Sequence, residues 1–174
     1  MSSEPTKQTK EATPVQTAYI SAGSNLGDRK RNLEIALTSL AEKTVVRKVS
    51  SYFETEPVGY LNQPWFLNLA VELETPLDPS GLLKLCKSIE DSCGRFRTFP
   101  NAPRTLDLDI LFFGDVVLNE EGLTIPHPRL AERRFVLEPL AQIAPGLIHP
   151  VLKKSIQTLL QACPDTSEVR LMRD

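Results

Sequence analysis

Apolar and polar residues alternate along several segments of the chain, and this period of two predicts β-strands. The clearest example is Trp65–Glu74, where apolar residues occupy one face and mostly polar residues the other. Thr17–Ser21 predicts a shorter first strand, and Val45–Phe53, rich in β-branched and aromatic residues, predicts one long strand. A further apolar run begins at Leu106 and is interrupted by two carboxylates. Together these segments predict a β-sheet.

Apolar residues at helical spacing predict two helices between these strands. The first follows a turn in which Asn25 or Asp28 supplies the N-cap, and its apolar positions are Leu33, Ile35, Ala36, Leu37 and Leu40. The second has Asp78 as its N-cap, Pro79 at the first helical position and Gly94 where a C-cap glycine belongs. Both helices are therefore bounded by residues typical of helix ends.

The order strand–helix–strand–strand–helix–strand indicates an α+β fold with a ferredoxin-like βαββαβ core. Beyond it, Val116–Leu118 and Leu123–Ile125 predict a short pair of strands, and prolines divide the remainder into short helices and loops, with a last helix near Leu152–Ala162. We therefore expect three α/β/α layers, with additional C-terminal strands and helices. Residues 1–16 are polar and predict a flexible N-terminal leader, which leaves residues 17–174 as a single domain.

Composition and charge narrow the possible functions. The formal net charge of −2 over 174 residues argues against a protein built mainly to bind nucleic acid. Cys86, Cys93 and Cys163 form no Cys-x-x-Cys motif and predict reduced thiols, and two histidines do not favour a His/Cys zinc site. No apolar run is long enough to span a bilayer. We expect a cytoplasmic monomer that binds neither nucleic acid nor membrane.

Asp107 and Asp109 are the most informative residues of the predicted strand that begins at Leu106. Because alternate residues of a strand share a face, both carboxylates point the same way, with Cα atoms about 6.5–7 Å apart. Two like charges at this distance are costly to bury unless a cation lies between them. The pair therefore predicts a site for Mg²⁺ and phosphate, although a bare Asp-x-Asp is equally typical of a solvated edge strand.

Basic residues surround the carboxylate pair in the sequence. Arg104 directly precedes the strand, while Arg95 and Arg97 follow the Gly94 helix end and open a proline-containing loop of the kind that closes over ligands. A second basic group consists of His127, Arg129, Arg133 and Arg134. A histidine between two prolines is more often structural, but beside arginines it indicates a phosphate contact. Arginine is the preferred planar donor to phosphate oxygens.

Phe66 and Asn68 share one face of the predicted strand Trp65–Glu74. An aromatic ring beside an amide suits a flat heterocycle, which can stack on the ring and hydrogen-bond to the amide. Taken alone, such a pair is more often ordinary surface. The segment Gly23–Gly27 lacks the Gly-Lys-Ser/Thr ending of a Walker A motif, so a P-loop NTPase is not supported.

These segments resemble 6-hydroxymethyl-7,8-dihydropterin pyrophosphokinases, the folate-pathway enzymes that transfer a pyrophosphoryl group from ATP to a pterin alcohol. The resemblance runs from about Ala18 to Leu160, and its most specific block is Ala102–Leu111. The supporting blocks are Tyr19–Gly27, Gln63–Asn68, Ile89–Glu90 with Gly94–Arg97, and Ile125–Pro128. It implies a single pyrophosphokinase catalytic domain over residues 17–174.

The resemblance also implies a role for individual residues. Asp107 and Asp109 would hold two Mg²⁺ ions and, with Arg95 and Arg104, form the catalytic group. The implied ATP contacts are Glu90, Arg97, Arg104, Ile110, Thr124, His127 and Arg133. The implied pterin contacts are Thr55, Glu56, Val58, Gly59, Phe66, Asn68 and Phe135. The pterin hydroxymethyl oxygen would attack the β-phosphorus of ATP in line, with AMP as the leaving group.

The chain departs from the pattern of this family at three positions. Asn101 stands where the loop usually carries a bulky or aromatic residue, and Lys87 where a glutamine is frequent. Glu56 replaces a frequent proline in the implied pterin loop.

Two other functions are compatible with the same residues. A two-metal nucleotidyltransferase also combines a Gly-Ser turn with an acidic pair, but there the two lie close in the chain, whereas about eighty residues separate Ser24 from Asp107. A non-catalytic ferredoxin-like binding module with a solvated acidic strand is the third possibility. The leaving group distinguishes a pyrophosphokinase, which releases AMP, from a nucleotidyltransferase, which releases pyrophosphate. Mg²⁺-dependent ATP binding distinguishes both enzymes from the binding module.

Overall fold

The strands and helices of the first two thirds of the chain follow one another in the order that the sequence predicts, except that one predicted strand is divided in two. The structure is a computed structural model that describes residues 14–94 and 99–173. The strands are β1 Gln16–Ser24, β2 Val45–Val49, β3 Phe53–Thr55, β4 Phe66–Thr75, β5 Asp107–Phe113, β6 Leu118–Glu120, β7 Leu123–Ile125 and β8 Val169–Leu171. The helices are α1 Arg29–Lys43, α2 Pro79–Ser92, α3 Arg134–Ile143 and α4 Ile156–Gln161, with a short 3₁₀ turn at Leu130–Glu132.

Six strands form one antiparallel sheet in the order β5-β1-β4-β3-β8, and β2 pairs with the other end of β4. Helices α1 and α2 pack on one face, where Leu33, Leu40 and Leu82 belong to the larger apolar core. Helices α3 and α4 pack on the other face around Leu137 and Ile156. The mixed α/β architecture and the helix–sheet–helix layers thus agree with the prediction.

Most predicted helix ends and turns are confirmed. The Asp28 side chain caps α1 by accepting a hydrogen bond from the Arg31 N–H, and Asp78 caps α2 in the same way. Gly94 follows α2 with a φ of +73°, a conformation that glycine adopts without strain. The predicted strand pair is present as β6 and β7, although β6 lies at Leu118–Glu120 and not at the predicted Val116–Leu118.

The long strand predicted at Val45–Phe53 is wrong, because it is divided into β2 and β3. Between them, the Ser50 hydroxyl accepts a hydrogen bond from the Ala70 N–H, and the Ser51 N–H donates to the Gln142 side chain. Side-chain partners therefore replace part of the regular backbone ladder.

Other predicted boundaries shift by smaller amounts. β1 begins at Gln16, which the sequence assigned to the leader, and α4 begins only after the Ser155 cap. Pro139 lies inside α3 rather than between helices, where the buried Val136, Leu137 and Leu140 hold the helix against the sheet. Residues 1–13, the greater part of the predicted leader, lie outside the described residues. No helix among the described residues is long and apolar enough to cross a membrane.

Candidate active site

Asp107 and Asp109 lie at the start of β5 and face a cavity of about 220 Å³. β5 pairs with β1 so that Gly23 is opposite Asp107 and Ser21 is opposite Asp109. Leu108, between the two carboxylates, is buried in the core on the opposite face. The alternation predicted from the sequence is therefore confirmed, and the pair lines a cavity rather than an open sheet face.

Arg104 partly balances the carboxylate pair. Its guanidinium Nη1 lies 2.6 Å from Oδ2 of Asp107. The backbone of Arg104 is fixed by Asn25, whose side-chain oxygen accepts from the Arg104 N–H at 2.7 Å and whose own N–H donates to the Arg104 carbonyl at 3.0 Å. These contacts attach the loop before β5 to the turn after β1, and they place the arginine at the cavity edge.

Asp109 remains short of positive charge. Burial and the neighbouring Asp107 raise the pKa of Asp109 to about 7, against a smaller opposing effect of Arg133 and Arg104. A divalent cation would remove this penalty, and two carboxylates supply the hard oxygen donors that Mg²⁺ prefers. Residues 14–94 and 99–173 contain no cluster of three or more potential metal-ligating side chains. The two carboxylates therefore fit Mg²⁺ as part of its ligand set.

Basic groups from the segment after β7 line the same cavity. Arg129 and Arg133 form part of its wall, and the guanidinium of Arg133 lies 5.7 Å from the centroid of the Phe135 ring. Burial, reinforced by Arg133, lowers the pKa of the neighbouring His127 to about 4. Its Nδ1 accepts a hydrogen bond from the Arg129 N–H, so the neutral ring carries its hydrogen on Nε2. His127 can therefore donate one hydrogen bond without carrying a charge.

The same cavity lining also contains aromatic rings and a buried amide. We call this group of lining residues the acceptor half: Thr55, Glu56, Val58, Phe66, Asn68 and Phe135. Nδ2 of Asn68 donates to the Thr55 hydroxyl at 2.5 Å, and both side chains are buried. Because the amide is fixed in this way, its remaining polar groups are oriented in advance for a flat, hydrogen-bonding ligand.

Gly23 makes room for this amide, and its replacement gives a direct test of the acceptor half. A Cβ atom at Gly23 would lie 2.3 Å from Oδ1 of Asn68, so Gly23→Ala must displace the amide. We expect KM for the flat acceptor to rise about tenfold, by analogy with the cost of one unmade hydrogen bond. Steady-state kinetics of Gly23→Ala checks this, and Gly146→Ala is the matched control because a Cβ there meets nothing within 4 Å. Unchanged acceptor KM in Gly23→Ala would contradict the assignment of Asn68.

The structure brings together many of the residues singled out in the sequence. Those that line the cavity are Thr55, Glu56, Val58, Phe66, Asn68, Arg104, Asp107, Asp109, Arg133 and Phe135. Gly59, Glu90, Ile110, Thr124 and His127 do not belong to its wall. Arg95 and Arg97 lie outside the described residues.

Glu90 and Ile110 occupy the interior of the protein beneath the carboxylate pair. Oε1 of Glu90 accepts a hydrogen bond from the Leu108 N–H at 2.8 Å, and Ile110 belongs to the larger core. Glu90 thus contacts the backbone of the residue between Asp107 and Asp109.

Several wall residues were not assigned from the sequence: Ser21, Gly23, Gln63, Asn101 and Glu132. Arg129, also in the wall, belongs to the second basic group that the sequence indicates. Ser21 and Gly23 alternate along β1 with the same period as the aspartates on β5, and this signal could have found them. Gln63 reaches the site through loops, since its side chain joins Asn25 to the carbonyl groups of Tyr60 and Asn101. No sequence periodicity reports contacts of that kind.

Comparison with known proteins agrees with this geometry. The sequence profile of the family described as 7,8-dihydro-6-hydroxymethylpterin-pyrophosphokinase matches residues 19–145. The chain belongs to this pyrophosphokinase family. It is 51% identical over 128 residues to the 2-amino-4-hydroxy-6-hydroxymethyldihydropteridine pyrophosphokinase of Bacillus subtilis. The aligned region covers 72% of this chain and 77% of that protein. The resemblance inferred from the Ala102–Leu111 block is thereby confirmed.

Other proteins that resemble this chain are considerably longer than it. The chain is 43% identical over 156 residues to the folic acid synthesis protein fol1 of Schizosaccharomyces pombe, covering 88% of this chain but 21% of fol1. It also superimposes on the Plasmodium falciparum HPPK-DHPS structure with a TM-score of 0.72 at 20% identity, covering 88% of this chain and 45% of that chain. The chain thus spans about a fifth of one relative and less than half of the other, and the second comparison supports the fold alone.

Proposed function

We propose that the protein transfers the pyrophosphoryl group of ATP to 6-hydroxymethyl-7,8-dihydropterin in folate synthesis and releases AMP. The observation that carries this proposal is one cavity with two chemically different halves. Carboxylates and arginines occupy one half and suit a metal–triphosphate group. Aromatic rings and a buried amide occupy the acceptor half and suit a flat heterocycle. Membership of the pyrophosphokinase family supports both assignments.

Asp107 and Asp109 are the residues that would hold Mg²⁺. Two ions bound there would neutralise the triphosphate and stabilise charge on the leaving oxygen. Arg104, Arg129 and Arg133 line the cavity and would donate to phosphate oxygens. We retain His127, whose Nε2–H is a neutral donor outside the cavity wall, on the resemblance alone. We retain Arg95, Arg97, Ile110 and Thr124 as further nucleotide contacts on the resemblance alone, and Glu90 as a residue that positions the strand between the two carboxylates.

The pterin ring would lie between Phe66 and Phe135, with its polar edge toward Asn68. Thr55 fixes the Asn68 amide, and the backbone of the segment Glu56–Gly59 would complete the pocket. The hydroxymethyl oxygen of the pterin would then form a bond to the β-phosphorus of ATP while the bond from that phosphorus to the AMP oxygen breaks. The hydroxyl proton would be lost to solvent. Holding both reactants in one cavity supplies a large part of the acceleration by proximity and orientation.

The finer description of the fold belongs to this proposal. We propose that β1, α1, β2/β3, β4, α2 and β5 form a ferredoxin-like core, a view supported by the sheet order and by α1 and α2 sharing one face. A single catalytic domain over residues 17–174, a monomeric state and a cytoplasmic location stay predictions.

An AMP-release assay tests the proposed function. Purified protein with the dihydropterin alcohol, ATP and Mg²⁺ should produce AMP and the pterin diphosphate in equal amounts, and no product should form without the alcohol or with excess EDTA. Release of pyrophosphate instead of AMP would favour a nucleotidyltransferase. Absence of Mg²⁺-dependent ATP binding in calorimetry would favour a non-catalytic module.

A further inference from the structure

The segment Asp165–Met172, which we call the C-terminal brace, is hydrogen-bonded to two segments that line the acceptor half. It follows α4 and contains β8, the outermost strand beside β3. Neither Asp165 nor Glu168 lines the cavity, yet each is hydrogen-bonded to a segment that does. The sequence alone did not predict β8, and the family comparison, which matches residues 19–145, does not extend to it.

The first contact is with the loop after β3. The Glu56 N–H donates to the Glu168 carbonyl at 3.0 Å, and the Glu168 N–H donates to the Glu56 carboxylate oxygen Oε2, also at 3.0 Å. In a regular antiparallel ladder the second bond would go to a main-chain carbonyl. The Glu56 side chain therefore closes the ladder at the point where Thr55, Glu56 and Val58 begin to line the cavity.

The second contact is with the start of α3, next to Phe135 of the cavity lining. Oδ2 of Asp165 accepts a hydrogen bond from the N–H of Arg134 at 3.0 Å, and its Oδ1 accepts from the Ser167 N–H at 2.9 Å. Arg134 is the first residue of α3, and the preceding residue makes no side-chain cap. Asp165 thus caps α3 from a distant part of the chain, immediately beside Phe135 of the cavity wall.

We propose that the C-terminal brace sets the width of the acceptor half, with Glu56 and Asp165 as positioning residues for the flat acceptor. This inference rests on the proposed function for the identity of that acceptor. A stacked ring needs lining segments held at a fixed separation, and one short segment hydrogen-bonded to two of them, beside Thr55 and beside Phe135, supplies it. Fixing the gap before binding lowers the entropy lost when the ring enters. Asp107, Asp109 and Arg104 are positioned by β5 and by the turn after β1, so the larger effect of the brace is on the acceptor and not on the nucleotide.

Glu168 offers a matched pair of variants outside the cavity wall. Glu168→Pro removes the N–H that donates to Glu56, whereas Glu168→Ala keeps that N–H and loses only the carboxylate that pairs with Arg170. We expect Glu168→Pro to raise KM for the dihydropterin about fivefold, the effect of losing one hydrogen bond. The KM for MgATP and kcat should stay within about twofold of wild type, because the variant removes no hydrogen bond on the nucleotide side of the cavity. Glu168→Ala should match wild type in all three constants.

A second pair of variants tests the other wall and keeps the test decisive if Glu168→Pro does not fold. Asp165→Ala should raise the acceptor KM by a similar factor, and Asp165→Asn, which retains one acceptor oxygen, should recover part of the loss. An acceptor KM of Asp165→Ala equal to that of wild type would overturn the inference. So would a rise in the KM for MgATP as large as the rise in the acceptor KM. Failure of the proposed function would look different, because wild type itself would then release no AMP.

Discussion

Asp109→Asn should lower kcat/KM for pyrophosphoryl transfer by at least about a thousandfold, because it removes a charged metal ligand from a two-metal reaction. Asp107→Asn should have an effect of the same order, and both variants should lose Mg²⁺-dependent ATP binding in calorimetry. Asp115→Asn is the matched control, since Asp115 is exposed at the far end of β5 and its replacement makes the same change in net charge. Near-native activity of either cavity variant would contradict the metal assignment.

Asp109→Asn should be at least as stable as the wild-type protein when no metal is bound. Burial and Asp107 raise the pKa of Asp109 to about 7, so the folded metal-free protein binds a proton there that the unfolded chain releases near its ordinary pKa. The contribution of Asp109 to stability therefore falls as the pH rises from about 4 to about 7, and the full penalty is present above that range. Thermal melting without metal at pH 8 should give Asp109→Asn a Tm equal to or above that of wild type. A lower Tm would indicate a structural role for the carboxylate.

Arg104→Ala should lower kcat by about a hundredfold or more, the effect typical of removing one preorganised donor to a developing negative charge. Arg104 is attached to the site twice, by its ion pair with Asp107 and by the backbone hydrogen bonds to Asn25, so its guanidinium is held at the cavity edge before ATP binds. Arg104→Lys should recover only part of the rate, because an ammonium group cannot reproduce the planar, bidentate geometry.

Arg31→Ala is the matched control for this arginine. Arg31 is exposed on α1, and its contact with the Asp28 cap is made by its backbone N–H, which the substitution retains. Single-turnover kinetics at saturating ATP should separate the loss in Arg104→Ala from a binding defect. A variant whose only defect is a higher KM for ATP would show that Arg104 binds the ground state and does not act in the transition state.

The features of the site that the sequence predicts best are those carried by local periodicity. Alternation places Asp107 and Asp109 on one face of β5 and Phe66 and Asn68 beside each other on β4, because side chains of a strand point to opposite faces in turn. Helix caps such as Asp78 are equally local, since the capping side chain and the N–H it accepts from lie three residues apart.

Features that depend on long-range contacts could not be predicted in this way. Glu90 meets the Leu108 N–H through the packing of α2 against β5, and no spacing within the chain reports that contact. The break between β2 and β3 depends on Ser50 bonding to Ala70, twenty residues away. β8 is three residues long and largely exposed, so it carries too little apolar pattern to be recognised, although it pairs with β3 beside the acceptor half.

The fate of the β-phosphorus of ATP tests the central claim most directly. Wild-type protein should be incubated with the dihydropterin alcohol, Mg²⁺ and ATP labelled either at the α- or at the β-phosphorus, and the products separated by chromatography. The proposed reaction predicts that the β-label appears in the pterin product and the α-label in AMP. Transfer of the α-label to the pterin, with the β-label released as pyrophosphate, would contradict it.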